Sequence, residues 1–328
     1  MTRPRIGFLG LGWIGRHRMK AILESGTVEA AAIADPSLEM MVEGAKLAPE
    51  AVPFGSLEAL LTAGLDGLMI ATPSAMHAAQ SIRALQHGVA VFCQKPLGRT
   101  ETEVRAVVEA ACVADRLLGV DLSYRFTEGM RQVKETLQAG DLGQVFAIDL
   151  AFHNAYGPDK PWFYDPASSG GGCVMDLGVH LVDLVLWALD FPSVIEVTSK
   201  LFSRGKPLIN STSQVEDYAT AVITLESGAV VRLACSWNLQ VGCEAIISAT
   251  FFGTEGGVAL RNLNGSFYDF VAERYRSTKR ETLTEPPDAW GGRAAVDWAR
   301  RLAAREGYDA GVEKIVDVAR VLDQIYGR

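Results

Sequence analysis

The sequence RIGFLGLGWIG at residues 5–15 decides the fold of this chain. Its first part, Arg5–Leu9, is a short apolar run typical of a buried strand, and a helical stretch follows the last glycine through about residue 23. The glycines between them have the spacing G-x-G-x-x-G. Gly10 permits the tight turn, Gly12 lets a pyrophosphate approach the backbone, and Gly15 lets the helix pack closely on the strand. The succession of strand, turn and helix predicts the opening βα unit of a dinucleotide-binding fold.

An acidic residue stands where such a fold holds the ribose of its cofactor. Asp35 follows Gly15 by 20 residues and comes directly after a second apolar run at 28–34. Its carboxylate can accept hydrogen bonds from ribose hydroxyls and repels a 2′-phosphate, and no Lys or Arg follows it before Lys46. We therefore predict NAD(H) as the cofactor, in preference to NADP(H).

Apolar runs alternate with helical segments through the first 123 residues. Runs at 65–71, 89–93 and 117–121 are separated by segments with helical periodicity at 75–87 and 101–115. This alternation predicts the α/β class, with an N-terminal Rossmann domain built on a doubly wound parallel sheet.

The pattern changes after about residue 124. Period-two strand candidates occur at 145–152, 194–202, 219–225, 229–237 and 245–252, and the turn at 226–228 indicates an antiparallel hairpin. We predict two domains: an NAD(H)-binding Rossmann domain at 1–123, and a substrate-binding and oligomerisation domain at 124–328. The second is expected to be an α+β domain with a large, mainly antiparallel sheet, closed by an amphipathic helix at 310–326.

A lysine follows the run at 89–93 in the tripeptide Gln94-Lys95-Pro96. The carboxyl ends of parallel strands form the ligand-binding crevice of an open α/β sheet, so Lys95 is expected at the nicotinamide side of that crevice. A surface lysine in a loop is the alternative. Thr72 and Pro73 end the preceding run either at the cofactor or as a plain turn capped by Ser74.

A second group of polar residues follows the glycines at 170–172. If a helix begins at about Met175, then Asp176, His180 and Asp183 lie at i, i+4 and i+7 on one stripe of an otherwise apolar helix. A carboxylate one turn from a histidine is a common way to orient a general base. The alternatives are a polar stripe facing solvent or the other domain, and a core histidine with its hydrogen bonds satisfied.

Together these motifs resemble the glucose-fructose oxidoreductase, inositol dehydrogenase and rhizopine-catabolism (GFO/IDH/MocA) family. The resemblance rests on the glycine turn, the Lys95-Pro96 dipeptide, the G-G-x-x-x-D-x-x-x-H-x-x-D pattern and Tyr124-Arg125-Phe126, and it covers essentially the whole chain. It implies oxidation of a secondary alcohol on a sugar, inositol or related polyol, or the reverse ketone reduction. The family usually has Glu-Lys-Pro, whereas this chain has Gln94.

By this resemblance, Lys95, Asp176 and His180 are the catalytic residues. We assign His180 as the base, Asp176 as an orienting residue, and Lys95 as the charge that stabilises the alkoxide, or as a partner in the proton transfer. Expected cofactor contacts are Gly10, Gly12, Trp13, Ile14, Gly15, Asp35, Thr72, Pro73, Gln94, Lys95 and His77, the last with a structural role as its alternative. Expected substrate contacts, besides the catalytic residues, are Tyr124, Arg125, His153, Asn154, Tyr156, Trp162 and Tyr164, each of which could instead be loop packing.

Composition disfavours other classes of protein. The net charge of −8 gives no basic surface for a nucleic acid. We expect no apolar run to reach the roughly 18 residues of a membrane span, and we expect the chain to be cytoplasmic. Five scattered cysteines show no zinc-ligand spacing, so no metal is expected.

Two other functions remain open, and an oligomer is expected. Cys93 could be the nucleophile of an aldehyde dehydrogenase, or Gln94 could mark a non-catalytic NAD(H) sensor or scaffold. The C-terminal sheet is expected to join a homodimer or homotetramer, because an antiparallel sheet covered on one side leaves an open face.

Overall fold

A computed structural model describes residues 2–209, 211 and 213–328 of the chain. They form two compact units. The first runs from the N-terminus to Ser123 and includes Gly291–Lys314, and the second comprises Tyr124–Trp290 and Ile315–Arg328. The first change of unit falls at the expected boundary near residue 123, whereas the segment Gly291–Lys314 differs from our assignment of all of 124–328 to the second domain.

The first unit is built on a parallel sheet. Its strands are β1 (Arg5–Leu9), β2 (Glu29–Ala34), β3 (Val52–Phe54), β4 (Gly67–Ile70), β5 (Ala90–Cys93) and β6 (Leu118–Val120). In the described part of the chain they have the order β3-β2-β1-β4-β5-β6, that of a doubly wound dinucleotide-binding sheet. Every residue of β4 and β5 is buried, as a parallel sheet covered on both faces requires.

The helices between these strands start in two different ways. They are α1 (Trp13–Glu24), α2 (Leu38–Leu47), α3 (Leu57–Leu61), α4 (Ser74–Gln86) and α5 (Glu101–Ala114). The side chains of Ser37, Ser56 and Thr100 cap α2, α3 and α5. No side chain caps α1 or α4, and the N-cap of α4 is Pro73, so the expected cap at Ser74 is wrong.

The second unit is built on a large sheet. Its strands are β7 (Val145–Asn154), β8 (Val194–Ser203), β9 (Lys206–Pro207), β10 (Tyr218–Leu225), β11 (Val230–Ser236), β12 (Ala245–Gly253), β13 (Gly257–Asn262), β14 (Phe270–Arg276) and β15 (Lys279–Thr284). The order is β15-β14-β13-β12-β7-β11-β10-β8-β9, and within the described residues only the β7–β11 pair is parallel. The mainly antiparallel sheet is thus confirmed.

The helices of this unit include a strongly apolar one. Those that precede or lie between its strands are α6 (Glu128–Gln138), α7 (Pro166–Ser169) and α8 (Val179–Ala188), with a π-helical turn at Val174–Gly178 directly before α8. By length and composition, the stretch Pro166–Ala188 is apolar enough to cross a membrane. The expectation that no apolar run reaches that length is therefore wrong. However, 89% of the most apolar window of this stretch is buried inside the protein.

Two helices follow the large sheet in the chain, α9 (Arg293–Ala303) and α10 (Lys314–Tyr326). Helix α9 belongs to the first unit because Trp298 packs on the parallel sheet, with its ring 5.7 Å from that of Phe92. A Cβ on Gly67 or Gly119 would lie 2.8 Å from this indole, so the two glycines make room for it. The amphipathic pattern of α9 predicts a buried face but does not reveal which core receives it.

Candidate active site

The glycine-rich turn has the geometry that its spacing predicts. Gly10 has a φ of +88°, and a Cβ there would lie 2.5 Å from the carbonyl oxygen of Ala71. A Cβ on Gly15 would lie 2.1 Å from the carbonyl oxygen of Gly10. A Cβ on Gly12 would meet no described protein atom within 4 Å. The fold therefore requires Gly10 and Gly15, whereas Gly12 leaves open space beside the backbone.

This open space lies at the N-terminus of α1. Gly12 is the N-cap residue, and the first turn, which begins with Trp13 and Ile14, contains no acidic side chain. Helix N-terminal N–H groups without a cap, together with the positive end of the helix dipole, suit an anion such as a pyrophosphate. The turn therefore fits a dinucleotide, whose phosphates these backbone groups would hold.

Asp35 connects the turn to the end of β2. Its Oδ2 accepts a hydrogen bond from the Leu11 N–H at 2.7 Å, and its Oδ1 accepts one from the Ser37 N–H at 2.8 Å. A carboxylate has about four acceptor positions, so these two bonds fix the group and still leave capacity for ribose hydroxyls.

The end of β4 is tied to α4 and to the loop after β5. Thr72 Oγ1 donates to Gln80 Oε1 at 2.6 Å. The buried ring of His77 places Nε2 2.7 Å from the Thr72 carbonyl oxygen and Nδ1 2.7 Å from that of Pro96. Burial lowers the pKa of His77, and the two carbonyl oxygens oppose that change. His77 is thus occupied by protein contacts, and we do not retain it as a cofactor contact.

Lys95 leaves the end of β5 half-buried, and the residues before it are fully enclosed. The Gln94 backbone N–H donates to the Ile70 carbonyl oxygen at 2.9 Å, which extends the β4–β5 ladder to the edge of the crevice. Burial raises the pKa of Cys93 to about 12. A neutral thiol inside the sheet cannot act as a nucleophile, so the aldehyde dehydrogenase alternative is not supported.

In the second unit, Asp176 lies in the π-helical turn before α8. Its Oδ2 accepts a hydrogen bond from the indole N–H of Trp237 at 3.1 Å. The expectation of one regular helix carrying Asp176, His180 and Asp183 on a single stripe is wrong, because the π turn changes the angular spacing of the side chains. The sequence alone indicates no function for Trp237, although its position after β11 places it at a strand end.

A buried glutamate anchors this turn. The carboxylate of Glu216 accepts hydrogen bonds from the N–H groups of Gly172 at 3.0 Å and Val174 at 2.9 Å, and from the Tyr326 hydroxyl at 2.8 Å. A Cβ on Gly172 would lie 1.9 Å from the Glu216 carbonyl oxygen, so only glycine fits. Burial raises the pKa of Glu216, and these donors oppose the rise. No local pattern predicts this partner, because it is 44 residues away in the chain.

His180 is buried in an aromatic cluster. The centre of its ring lies 4.8 Å from that of Tyr124 and 6.4 Å from that of Phe152. Tyr124 also contacts Trp290, at 4.9 Å between ring centres. These rings fix the orientation of the imidazole, which a group that accepts a proton in a defined direction needs.

Arg125 and Asp183 form an ion pair in the same unit. Arg125 Nε donates to Asp183 Oδ2 at 2.7 Å, and a terminal nitrogen donates to Oδ1. Asp183 is completely buried, and this raises its pKa against the opposing effect of Arg125. The pair gives Arg125 a structural function, so we do not carry it forward as a substrate contact.

His153 lies on the other face of the large sheet. Side chains alternate along a strand, and Phe152 points to the His180 cluster. His153 instead places Nδ1 2.8 Å from the Ser236 hydroxyl and stacks on the ring of Tyr218. His153 is on this face because the strand continues past Phe152 where we expected a loop, and we do not carry it forward as a substrate contact.

The other predicted substrate residues include an aromatic group near Trp237. The Tyr164 ring lies 5.6 Å from that of Trp237, and Trp162 stacks on Phe163 at 3.8 Å between ring centres. Tyr156 is half exposed and contacts Phe267. At the end of β7, the Asn154 Oδ1 is buried and has no hydrogen-bond partner among the described residues. Aromatic faces and an open acceptor suit a ligand rich in hydroxyl groups.

Family profiles match both units of the chain. Residues 4–122 match an oxidoreductase family profile with an NAD-binding Rossmann fold, and residues 130–259 match the GFO/IDH/MocA C-terminal domain. The first of these establishes the N-terminal unit as an NAD-binding domain.

The chain is also similar to individual proteins of known name. The chain is 31% identical to an inositol 2-dehydrogenase of Rhodococcus erythropolis, covering 96% of this chain and 95% of that one. It is 30% identical to the rhizopine catabolism protein MocA of Rhizobium meliloti, covering 83% and 86%. A solved levoglucosan dehydrogenase, in complex with NADH and levoglucosan, has the same fold, with a TM-score of 0.83, 19% identity and coverage of 99% and 97%.

Proposed function

The chain belongs to the GFO/IDH/MocA family of oxidoreductases, and from that premise we propose that it transfers hydride between NAD(H) and a secondary alcohol or ketone of a sugar, inositol or related polyol. The names of its relatives support this substrate class, since inositol and levoglucosan are both rings that carry several hydroxyl groups. Asp35 supports NAD(H) in preference to NADP(H), because its carboxylate is fixed beside the glycine turn.

The roles of the residues follow from this chemistry. When bound, NAD supplies the hydride acceptor for the carbinol carbon. His180 takes the hydroxyl proton, and Asp176, held by Trp237, orients the substrate or the histidine. Lys95 stabilises the negative charge that develops on the alkoxide oxygen, or shares the proton transfer. Tyr164, Trp162 and Asn154 contribute aromatic faces and an acceptor for the remaining hydroxyls.

One observation carries the proposal: a histidine and an aspartate occur on a buried, mainly apolar helical segment whose start is fixed by Glu216 and whose other titratable residue, Asp183, pairs with Arg125. Packing alone gives no reason to place two titratable groups there, since burying polar groups costs stability. An active site gives such a reason.

The proposal predicts that Lys95→Ala and His180→Ala each lower kcat by about a hundredfold or more. NADH affinity should stay within a few-fold of wild type, because neither residue is needed for the phosphate or ribose contacts. The measurement is steady-state turnover of a panel of sugars, inositols and their keto forms, with NADH binding followed by calorimetry.

Two control variants accompany these. His153→Ala removes a histidine on the opposite face of the same sheet, and Lys46→Ala removes a surface lysine paired with Glu43. Both should turn over substrate at nearly the wild-type rate. Near-normal turnover by Lys95→Ala or His180→Ala would remove that residue from the mechanism.

A non-catalytic NAD(H) sensor is the second candidate, and Gln94 is the observation that favours it. Replacing a glutamate beside the catalytic lysine is a change that a protein without turnover could tolerate. Tight NADH binding together with no turnover across the whole polyol panel would support the sensor.

We also propose a homo-oligomer formed through the open face of the large sheet, acting in the cytoplasm. Exposed aliphatic side chains on that face, such as Val222 and Val230, support the oligomer. Five cysteines at scattered positions, with no C-x-x-C pair, support a reducing compartment.

A further inference from the structure

A buried carboxylate contacts the residue that precedes Lys95. Asp121, only 1% exposed, follows β6, and its backbone N–H donates to the Cys93 carbonyl oxygen at 2.9 Å. Its Oδ2 accepts two hydrogen bonds, one from Arg18 Nε at 2.6 Å and one from the side-chain amide of Gln94. Through this one oxygen, Asp121 is hydrogen-bonded both to Gln94, which precedes Lys95, and to Arg18. Arg18 lies on α1, the helix that follows the glycine-rich turn.

The charges of this buried cluster balance. Arg18 supplies one positive charge, Asp121 one negative charge, and Gln94 none, and all three side chains are buried. Arg18 also donates to Ser123 Oγ at 3.5 Å and to His17 Nδ1 at 2.9 Å, and burial and Arg18 both lower the pKa of His17. A second buried carboxylate would lack a positive partner, and an unpaired buried charge is strongly destabilising.

The direction of the Gln94 hydrogen bond also disfavours a second carboxylate at position 94. An amide N–H₂ group donates to the Asp121 carboxylate, whereas a glutamate at position 94 would face it with acceptor oxygens only. The amide donor of Gln94 and the acceptor oxygen of Asp121 are therefore complementary. Each of these buried side chains supplies a hydrogen-bond partner that the other needs.

The second oxygen of Asp121 shows that the cluster is not optimised for stability. Its Oδ1 is buried and has no hydrogen-bond partner among the described residues. Buried polar atoms are nearly always paired, and an unpaired one costs stability. A carboxylate retained at such a cost needs a reason other than packing.

We infer that Asp121 is a positioning residue for the reaction: it holds Gln94, and through Gln94 it fixes the direction in which Lys95 leaves β5, while Arg18 neutralises it. This inference rests on the proposed function of Lys95.

A charge exchange between the two positions tests the inference. Gln94→Glu and Asp121→Asn should each lower kcat by about tenfold or more, because a displaced lysine stabilises the alkoxide poorly. The double variant Gln94→Glu/Asp121→Asn again contains one carboxylate and one guanidinium, with the amide now donating in the opposite direction. It should recover kcat to within about threefold of wild type.

Further variants separate positioning from folding. Gln94→Met removes the amide without adding charge, and should lower kcat while leaving the substrate KM nearly unchanged. Gln86→Glu adds the same charge at an exposed position of the same unit and should have no effect. A second readout needs no substrate: the rate at which an amine-reactive reagent labels Lys95 in the apoprotein, measured by mass spectrometry, should change in the single variants and return in the double variant.

Several outcomes would overturn the inference. These are wild-type kcat in Gln94→Glu or Gln94→Met, a double variant no better than Gln94→Glu, or single variants that lose thermal stability but keep kcat and Lys95 labelling. Failure of the proposed function is distinct, because wild-type protein would then turn over no polyol while the labelling and unfolding comparisons still test the cluster.

Discussion

Among single residues, Gly12 differs from the neighbouring glycines because the cofactor, and not the packing of the protein, requires it. The neighbouring glycines at 10 and 15 are required by contacts within the protein, whereas the space beside Gly12 contains no described atom within 4 Å. A methyl group at this position would therefore disturb only a ligand that approaches the backbone.

We predict that Gly12→Ala lowers NADH affinity by about tenfold or more while the free energy of unfolding of the apoprotein stays within about 1 kcal/mol of wild type. Calorimetry and urea denaturation would measure the two quantities. Gly55→Ala is the matched control, because it also has open space and no positive φ, and it should change neither. Unchanged NADH affinity in Gly12→Ala would mean that the pyrophosphate does not approach this residue.

Asp35 should determine which of the two nicotinamide cofactors binds. Wild type should bind NADH at least about tenfold more tightly than NADPH, since a carboxylate next to the ribose repels a 2′-phosphate. Asp35→Ser should reduce that ratio, measured by calorimetry with both cofactors. Asp66→Ser removes a carboxylate that also accepts a backbone N–H, that of Arg5 at 2.7 Å, and should leave the ratio unchanged. Equal or tighter NADPH binding by wild type would contradict the assignment.

At the level of secondary structure, the sequence predicts the elements that carry strong apolar periodicity. Strand β1 has the predicted bounds, and the strands around it differ by one or two residues at their ends. The sequence does not predict β3, β9 or β13 to β15, and in β14 and β15 charged side chains interrupt the pattern. Those charges pair across strands, as Arg274 does with Glu281 and Arg261 with Glu273, so they stabilise a sheet that alternation alone does not indicate.

The candidate site can be read from the sequence only where its residues are local in the chain. The glycine turn, Asp35, Lys95, Asp176 and His180 can be found in short motifs, whereas Trp237, Glu216 and Asp121 act through partners 42 or more residues away or in another strand. The π turn and the face of His153 depend on where a helix or strand changes its geometry, which residue spacing does not encode.

The connection that His77 makes between α4, the end of β4 and the Pro96 loop should give stability a specific pH dependence. Burial keeps the folded-state pKa of His77 below its ordinary value of 6.5. The folded protein therefore retains a neutral ring while the unfolded chain takes up a proton below that value. The stabilisation is present above pH 6.5 and is lost as pH falls through the folded-state pKa.

Urea denaturation at a series of pH values from about 7.5 down to 5 would test this. We predict that the free energy of unfolding of wild type falls more steeply with acidification than that of His77→Gln or His77→Asn, because those side chains do not titrate. Parallel curves for wild type and both variants would contradict a lowered pKa at His77.

For the whole molecule, one face of the large sheet is covered by no helix among the described residues of the second unit. Side chains on the helix side, such as Leu233 and Phe152, are buried, whereas their strand neighbours on the other face are exposed to varying degrees. This open face contains small and aliphatic side chains, including Val222, Val230 and Ile246, and the ion pair of Arg232 with Asp149. A broad face of this composition is unusual for a monomer.

Two copies related by a two-fold axis can pair such faces, since each then covers the same surface of the other. We predict that light scattering at micromolar concentration gives at least twice the chain mass of 35.4 kDa. The double variant Val222→Asp/Val230→Asp should shift the protein to 35.4 kDa with its circular dichroism spectrum unchanged, because it buries charges against the partner. Val113→Asp, at a position 89% exposed on α5, adds charge away from the sheet and should leave the assembly intact. A single wild-type species of 35.4 kDa would refute the interface, and an oligomer that survives both sheet substitutions would locate it elsewhere.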